Sequence, residues 1–282
     1  MILVDFNQVC IANFMMQVGN HTNLKIEEDL IRHMVLNSIR MLRSKFSDKY
    51  GELVICCDSK HYWRRDIFPY YKANRKKDRD KSDVDWPSLF TFLNKVKQEL
   101  RDYFPYKVIE VDGAEADDII GTLVREHHLM ENYILIVSSD KDFMQLQKYK
   151  NVDQYSPIMK KMIRTEDPRQ FVFEHILKGD RGDGIPNFLS QDDTFVTDKR
   201  QKPLSKKKIA LLKEEGVDNV EESLRRGFLR NQQLVDLDFI PERIADKINL
   251  QYTGSNPKSR NQLLNYFVKY KLKNLTESIG EF

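Results

Sequence analysis

The sequence has few cysteines and no long apolar run. Its 282 residues include three cysteines, Cys10, Cys56 and Cys57, which lie in or beside apolar segments. Their odd, sparse count argues against a disulfide scaffold and their spacing suits no zinc site, so we expect buried, reduced thiols. No stretch approaches the length of a membrane span. Asp5 interrupts the N-terminal apolar run, so no signal peptide is visible, and we expect a cytoplasmic protein.

The net charge is also small. The formal charge is +3, although 32% of the residues are charged and 40% are hydrophobic. The distribution of charge along the chain is therefore more informative than its total. The length suits one large domain or a domain with an appendage.

Three short apolar runs end in aspartates. The runs cover residues 2–4, 53–57 and 134–139, and the last is rich in β-branched residues. The aspartates that follow them are Asp5, Asp58, Asp140 and Asp142. Length and branching predict buried, parallel strands. Because ligands of an open α/β sheet bind outside the carboxyl ends of its strands, we expect these carboxylates to converge.

The rest of the chain alternates strand and helix signals and then becomes helical. The patterns predict helices over residues 26–46, 86–103, 115–128 and 168–178, a strand over 107–111 and a hairpin within 151–163. A helix over residues 6–19 would pack Phe14, Met15 and Met16 inward. Beyond residue 184 strong strand runs are lacking, so the sequence predicts an α/β core followed by a mainly helical part.

Five more acids join this set. Glu115, Asp117 and Asp118 open a predicted helix, and Asp180 and Asp183 lie in a glycine-rich turn. Acids at a helix start are often only caps, and for a single aspartate here a structural role is as common as metal binding. Nine clustered carboxylates, however, would repel one another. Oxygen-only ligands favour Mg²⁺ or Mn²⁺, and the number of acids suggests two ions about 4 Å apart, as in phosphoryl transfer.

Two segments concentrate positive charge. Residues 60–81 contain nine Lys or Arg against three Asp, interleaved with aromatic residues. A charge run is usually a solvated face, but cations with aromatics favour single-stranded nucleic acid, because phosphates need the former and unstacked bases the latter. Residues 199–213 carry seven Lys or Arg and no acid, which suits contact with a duplex backbone. The cations that we assign to nucleic-acid binding are Arg64, Arg65, Lys76, Lys77, Lys206, Lys207 and Lys208.

A fixed order of short motifs runs through nearly the whole chain. The motifs are Asp5, Asp58, Tyr-Lys-Ala-Asn-Arg (71–75), Glu-Ala-Asp-Asp (115–118), Ser-Ser-Asp-Lys-Asp (138–142) and Gly-Asp-Arg-Gly-Asp (179–183). Each motif is weak alone, but their order resembles the flap endonuclease / 5′ nuclease family. The segments Tyr62-Trp63-Arg64-Arg65-Asp66 and Ile279-Gly280-Glu281-Phe282 are similar to its T-even-type phage ribonuclease H branch.

The resemblance implies a fold. Its core would be a PIN-like α/β nuclease domain with a central, mostly parallel sheet flanked by helices. A helical arch would lie at about residues 60–85. A mainly helical C-terminal region with a helix–three-turn–helix motif would grip duplex DNA. We therefore expect a catalytic domain at residues 1–180 and a DNA-binding domain at residues 181–282.

The resemblance also implies roles for single residues. The first ion would be served by Asp5, Asp58, Glu115 and Asp117, with Asp118 beside them. The second would be served by Asp140, Asp142, Asp180 and Asp183, partly through water. Lys72 would reach the scissile phosphate, Arg75 would hold a neighbouring phosphate and Tyr71 would stack on the terminal base. The cofactor would be two Mg²⁺ ions, for which Mn²⁺ can substitute.

The implied activity is 5′-to-3′ exonuclease and flap endonuclease cleavage of RNA–DNA and DNA duplexes. Such an enzyme removes RNA primers from lagging-strand fragments of phage DNA and acts on forked, flapped or nicked substrates. A single-stranded-DNA-binding protein and a sliding clamp would be its partners, although no N-terminal clamp-binding tail is visible before Asp5. We expect a monomer in the host-cell cytoplasm, with no membrane contact.

Two other functions compete with this one. A haloacid-dehalogenase-like phosphatase also uses Mg²⁺ and strand-end aspartates, but Asn7 stands where that class usually has an acid, and it leaves the basic segment unexplained. A non-catalytic nucleic-acid-binding protein would explain that segment. It would not concentrate carboxylates in a groove meant for phosphates.

Overall fold

The computed structural model describes residues 1–18, 26–217, 221–255 and 257–282. The strands are β1 (Ile2–Asp5), β2 (Leu53–Cys56), β3 (Lys107–Ile109), β4 (Ile134–Val137), β5 (Val152–Ser156) and β6 (Lys161–Ile163). They form one sheet in the order β3-β2-β1-β4-β5-β6. All neighbours from β3 to β5 are parallel, and β6 closes the predicted hairpin antiparallel to β5. The prediction of a mostly parallel central sheet is confirmed.

Helices surround this sheet and make up the rest of the chain. In the first part they are α1 (Phe6–Val18), α2 (Glu28–Tyr50), α3 (Trp63–Ile67), α4 (Asn74–Asp80), α5 (Trp86–Tyr103), α6 (Ala116–His127) and α7 (Pro168–Lys178). In the second part they are α8 (Lys206–Glu215), α9 (Glu222–Val235), α10 (Glu242–Gly254), α11 (Leu263–Lys269) and α12 (Lys273–Thr276). Short 3₁₀ segments lie at Lys141–Lys148, Leu237–Phe239, Arg260–Gln262 and Ile279–Glu281. The α/β core followed by a helical part is as predicted.

Successive residues of each central strand point to opposite faces of the sheet, and both faces are covered. In β1, Ile2 and Val4 face a core built with α1, α2, α5 and α11, whereas Leu3 faces a second core built with α6 and α10. Covering both faces explains why these strands read as continuous apolar runs and not as alternating ones. It also leaves only the strand ends for polar chemistry.

One detail of α1 differs from the prediction. Phe14 is buried, but Met15 and Met16 are 42% and 45% exposed. A helix turns by about 100° per residue, so three consecutive side chains cannot share one buried face. The prediction that three consecutive apolar residues are buried therefore overestimated the width of the α1 face that packs against the core.

A third core cluster holds the segment between β2 and α5 against the C-terminal helices. It contains Phe68 and Tyr71 from that segment, Ile176 and Leu177 from α7, and Phe228 from α9 among others. The last residue, Phe282, is fully buried in the first core. The helical second part therefore packs back onto the sheet. None of the helices in the described part of the chain combines the length and the apolar composition needed to cross a bilayer.

Candidate active site

The carboxyl edge of the sheet carries the acids that follow the strands. Asp5 ends β1, Asp58 lies just beyond β2, and Asp140 lies just beyond β4. Ser138 Oγ donates a hydrogen bond to Asp5 Oδ2 at 2.9 Å, which ties β4 to β1. Asp58 Oδ1 accepts one from the Ala116 backbone N–H at 2.8 Å, which ties β2 to the start of α6. The structure thus brings these acids and the α6 acids together, as the strand pattern predicted.

The start of α6 is built around a buried arginine. The Glu115 backbone N–H donates to Asp118 Oδ2 at 2.8 Å, as in a capping box. Arg64 Nη1 lies 3.0 Å from Glu115 Oε2 and 2.8 Å from Asp118 Oδ1, and its Nε donates to the Leu234 carbonyl at 2.9 Å. Arg64 is 2% exposed. This placement is incompatible with the predicted nucleic-acid contact of Arg64, because its guanidinium is buried and occupied inside the protein.

Tyr71 and Lys72 also point inward, at the same acids. The Tyr71 hydroxyl lies 2.9 Å from Glu115 Oε2 and 3.0 Å from Asp183 Oδ2, and its ring is 2% exposed. The predicted stacking of Tyr71 on a terminal base does not fit this burial. Lys72 adopts a positive φ of 55° and places Nζ against Glu115 Oε1, 3.5 Å from Asp183 Oδ2. Arg75 Nη2 pairs with Asp183 Oδ1 from a more exposed position.

We call Glu115, Asp118 and Asp183 the compensated acids, because each faces at least one of the cations Arg64, Lys72 and Arg75. Burial alone would raise the pKa of Glu115, but Lys72 and Arg64 outweigh it and hold this pKa below its usual value. Asp118 is completely buried, and this burial keeps its pKa raised in spite of Arg64. The cations thus neutralise charge that the buried acids would otherwise carry alone.

We call Asp5, Asp117, Asp140 and Asp142 the uncompensated acids. Among the described residues, no lysine or arginine forms an ion pair with any of them. Burial raises the pKa of Asp5 to about 7, and the charge of Asp58 adds to this effect. Burial and the charge of Asp140 raise the pKa of Asp142 to about 8. Desolvation likewise raises the pKa values of Asp117, which is half-buried, and of Asp140, which keeps an exposed surface. In these carboxyls the charged form is therefore disfavoured, because no lysine or arginine of the described structure balances it.

The turn after α7 supplies the last two acids. Gly179 ends the helix with φ +66°, and a Cβ there would lie 2.4 Å from the Ile185 carbonyl oxygen, so only glycine fits. The Asp183 backbone N–H donates to Asp180 Oδ1 at 3.0 Å. Asn231 of α9, fully buried, donates to the carbonyls of Ile176 and Pro186 at 2.7 and 2.9 Å. The C-terminal part therefore fixes the turn that carries Asp180 and Asp183.

His175, in the last turn of α7, was missed by the sequence reasoning. Its Nε2 lies 3.3 Å from Asp180 Oδ2 and its Nδ1 lies 3.3 Å from Asp142 Oδ1. The hydrogen bond with His175 lowers the pKa of Asp180 to about 2. One potential ligand atom each from Asp142, His175 and Asp180 lie within 4.8 Å of one another. The available signal was a histidine one turn before the Gly-Asp segment.

A basic groove of about 1260 Å³ runs beside the acids, between α7 and α8. Its cations are Lys81, Lys178, Arg181, Lys199, Arg200, Lys202, Lys206 and Lys213. Gln170, Glu174 and Lys178 also line the acidic cavity that holds Asp140, Asp142 and Asp180, so the two spaces adjoin.

Three other predicted cations are not part of the groove lining. Lys207 and Arg65 are exposed, Lys208 is half-buried, and the guanidinium of Arg65 lies 4.9 Å from the ring of Tyr62. The side chains of Lys76 and Lys77 lie outside the described part of the structure.

Comparison with known proteins identifies the family. The model for the 5′–3′ exonuclease N-terminal resolvase-like domain matches residues 1–175, and the model for the T4 RNase H C-terminal region matches residues 168–282. The chain belongs to the 5′–3′ exonuclease family. It is therefore a nuclease, which sets aside both the phosphatase and the non-catalytic binding protein.

Relatives of this exonuclease-family chain include a phage enzyme of nearly equal extent. Ribonuclease H of Enterobacteria phage T4 is 36% identical, with 99% of this chain and 95% of the relative covered. A 5′–3′ exonuclease of Buchnera aphidicola subsp. Schizaphis graminum is 30% identical over 54% of this chain and 53% of its own. The family resemblance, including its phage branch, is confirmed.

Solved structures show the same fold at low sequence identity. The T5 5′-exonuclease with bound divalent zinc ions superposes with a TM-score of 0.66 at 18% identity, over 90% of this chain and 98% of the other. The T5 D15 flap endonuclease, in a pseudo-enzyme–product complex with DNA and metal ions, gives 0.65 at 19% identity, over 88% and 96%. The nuclease fold predicted for the core is confirmed.

Proposed function

We propose that this nuclease is a divalent-metal-dependent 5′-to-3′ exonuclease and flap endonuclease. Its substrates would be DNA and RNA–DNA duplexes with a free 5′ end, flap, fork or nick, and its role the removal of RNA primers during phage DNA replication. One observation carries the proposal: acids that have no lysine or arginine counter-ion in the described structure adjoin a groove lined with lysine and arginine. The acids suit cations, and the groove suits the polyanion on which the cations would act.

The acids fit two ions. Asp5, Asp58, Glu115 and Asp117 would hold one, and Asp140, Asp142, Asp180 and Asp183 would hold the other, some of them through water. The raised pKa values of Asp5 and Asp142 indicate carboxylates that gain most from a nearby cation. Mostly oxygen donors favour Mg²⁺, with Mn²⁺ as a substitute. Bound ions would supply Lewis-acid stabilisation and lower the pKa of water.

The contacts of Asp118 suit a structural role. Both of its oxygens are engaged inside the protein, by the Glu115 backbone N–H and by Arg64. We propose that Asp118 and Arg64 hold Glu115 in place, and that neither contacts an ion or a phosphate directly. Tyr71 would orient Glu115 and Asp183 in the same way, through its hydroxyl.

Lys72 and Arg75 would serve the substrate. Both now face acids, Lys72 from a side chain that is 9% exposed and Arg75 from a more exposed position. A phosphate would compete with these acids, because cations form strong charge-assisted hydrogen bonds with phosphate as well as with carboxylate. Lys72 would reach the scissile phosphate and stabilise the charge that develops there. Arg75, 47% exposed, would hold the neighbouring phosphate.

The groove cations and the exposed first turn of α8 would hold the duplex backbone. Lys206, Lys207 and Lys208 lie at this turn, and Arg65 lies beside Tyr62. We keep residues 1–180 as the catalytic part, with an arch at about 60–85, and residues 181–282 as the duplex-gripping part. We further propose a cytoplasmic monomer that works with a single-stranded-DNA-binding protein and a sliding clamp.

The proposal is tested by digesting a 5′-labelled RNA–DNA hybrid with and without Mg²⁺. We expect short 5′ products only with the metal. Asp140→Asn should reduce cleavage by a factor on the order of 10³ or more yet leave hybrid affinity within about threefold, because the proposed role of Asp140 is to hold an ion and not a phosphate. Asp246→Asn, an exposed change on α10, is the matched control. Full activity of Asp140→Asn, or cleavage in EDTA, would refute the metal assignment.

A further inference from the structure

An imidazole lies among the uncompensated acids. His175 is 14% exposed and faces a carboxylate with each ring nitrogen, Asp142 through Nδ1 and Asp180 through Nε2. The two contacts differ. The Nε2 contact with Asp180 Oδ2 is a hydrogen bond, whereas Nδ1 is buried and makes no hydrogen bond within the described structure.

The partner of Nε2 determines what Nδ1 can do. Asp180 is held from both sides, since its Oδ1 accepts from the Asp183 backbone N–H at 3.0 Å and its Oδ2 faces His175. A carboxylate that accepts from one ring nitrogen fixes the tautomer and makes the other nitrogen a better electron-pair donor. Nδ1 would then carry a lone pair directed at Asp142.

A lone pair facing a carboxylate oxygen is unfavourable unless a proton or a metal ion lies between them, and a metal ion that binds here would displace that proton. Asp142 Oδ1 is 3.3 Å from Nδ1, and no hydrogen bond from the described residues reaches the Asp142 side chain. Two adjacent ligands of a six-coordinate ion with bonds of about 2.1–2.3 Å are separated by roughly 3.0–3.3 Å. The spacing of Nδ1 and Asp142 Oδ1 equals that of two neighbouring ligands.

We infer that His175 Nδ1 is a direct ligand of the ion held by Asp142, with Asp180 as the group that orients the ring. The inference rests on the proposed function, which places an ion at these acids. It adds a consequence for metal choice. Imidazole suits first-row transition metals, whereas Mg²⁺ prefers oxygen ligands. The ion beside His175 is therefore a position that favours Co²⁺, Mn²⁺ or Zn²⁺ over Mg²⁺, in contrast to the oxygen-only set around Asp5.

The test is direct metal binding by the full chain. Co²⁺ is titrated into metal-free protein, followed by visible absorption and calorimetry, and then competed with Mg²⁺. We expect His175→Gln to weaken Co²⁺ binding at one site by about tenfold or more while Mg²⁺ binding changes less than about threefold. His127→Gln should change neither, because His127 lies at the far end of α6 against Tyr252.

A second measurement needs no variant. Pulsed electron paramagnetic resonance of the Mn²⁺-loaded wild type should show coupling to a directly bound imidazole nitrogen. Lack of this coupling, or an equal loss of Co²⁺ and Mg²⁺ affinity in His175→Gln, would overturn nitrogen ligation. Asp142→Asn separates the two proposals: if it leaves ion binding unchanged, the ion assignment itself fails. If it removes the ion while His175→Gln has no effect, only the role of His175 fails.

Discussion

The two groups of acids occupy one cleft but are balanced differently. Glu115 and Asp183 face Lys72 and Arg75 from the segment between β2 and α5, whereas Asp5 and Asp142 face no lysine or arginine of the described structure. The pKa of Glu115 is lowered and that of Asp142 is raised to about 8. Desolvation acts to raise both pKa values, so the partners of the two acids account for the contrast.

The contrast indicates where ions and substrate enter. Uncompensated acids repel one another but are good metal ligands, so an ion that binds among them relieves this repulsion. At the compensated acids an incoming cation must compete with side chains that are already in place. Those side chains become free for phosphates if an ion takes over the acids.

The largest expected effect concerns the buried arginine of the compensated group. Arg64→Gln leaves Glu115 and Asp118 buried without their shared cation, so we expect a loss of about 3–5 kcal/mol in the free energy of unfolding. Arg65→Gln, one residue along and exposed, should leave stability unchanged and weaken DNA binding slightly. Chemical denaturation of both variants measures the difference. Equal stabilities would show that Arg64 is not the internal counter-ion.

Lys72→Ala should slow the chemical step by about 10²–10³-fold. The variant removes the cation nearest to Glu115 and the proposed contact to the scissile phosphate. Single-turnover cleavage under saturating enzyme isolates this step from product release. Lys60→Ala, an exposed change at the start of the same segment, is the control. An unchanged rate would remove Lys72 from the mechanism.

Opposite effects on metal-free stability should distinguish the two groups. The folded-state pKa of Asp142, about 8, lies above the ordinary 3.8, so this group destabilises the fold increasingly as the pH rises from about 4 to 8. Asp142→Asn should remove that effect and stabilise the metal-free protein at pH 8 by at least about 1 kcal/mol. Glu115 has a lowered pKa and contributes stability above its ordinary pKa, which is lost as the pH falls. Glu115→Gln should therefore destabilise at pH 8.

Thermal melts in EDTA at pH 5 and pH 8 measure these changes. Adding Mn²⁺ at pH 8 should stabilise the wild type and reverse the ranking of wild type and Asp142→Asn. If both variants shift stability in the same direction, the division of the acids into two groups is wrong.

The smallest effect concerns the groove. Affinity for forked DNA should fall steeply with salt, because the proposed duplex grip would neutralise several phosphates. The double variant Lys206→Ala/Lys207→Ala should reduce the salt slope by about 1–2. Lys247→Ala/Lys258→Ala, which changes two exposed lysines away from the groove, should keep the slope. A flat salt response of the wild type would exclude the basic segments as the binding surface.

Features that depend on neighbouring residues in the chain could be predicted from the sequence. Apolar runs ending at Asp5, Asp58 and Asp140 predicted strands that deliver acids to one edge, and the sheet has this arrangement. The helix at Pro168–Lys178 was also predicted to end at Gly179. Strand ends and helix ends are set by local chemistry, so their residues can be named from sequence.

The direction in which a side chain points, and the residue that it contacts, were harder to predict from the sequence. Arg64 and Arg65 are adjacent and identical in the sequence, yet one is buried at Glu115 and the other is exposed. Tyr71 has an aromatic ring of the kind that stacks on bases, but this ring is buried in a cluster with residues of α7 and α9. His175 gained its place in the site only because α7 lies against the segment after β4.

The sequence by itself determined the alternation of strands and helices, the edge at which the acids meet, and the family. The tertiary structure decided which acids have counter-ions, which cations are buried and which nitrogen faces Asp142. The physical reason is how far apart along the chain the interacting residues lie. Secondary structure and chain reversals depend on a few neighbouring residues, whereas charge compensation depends on atoms brought within about 4 Å by packing of distant segments.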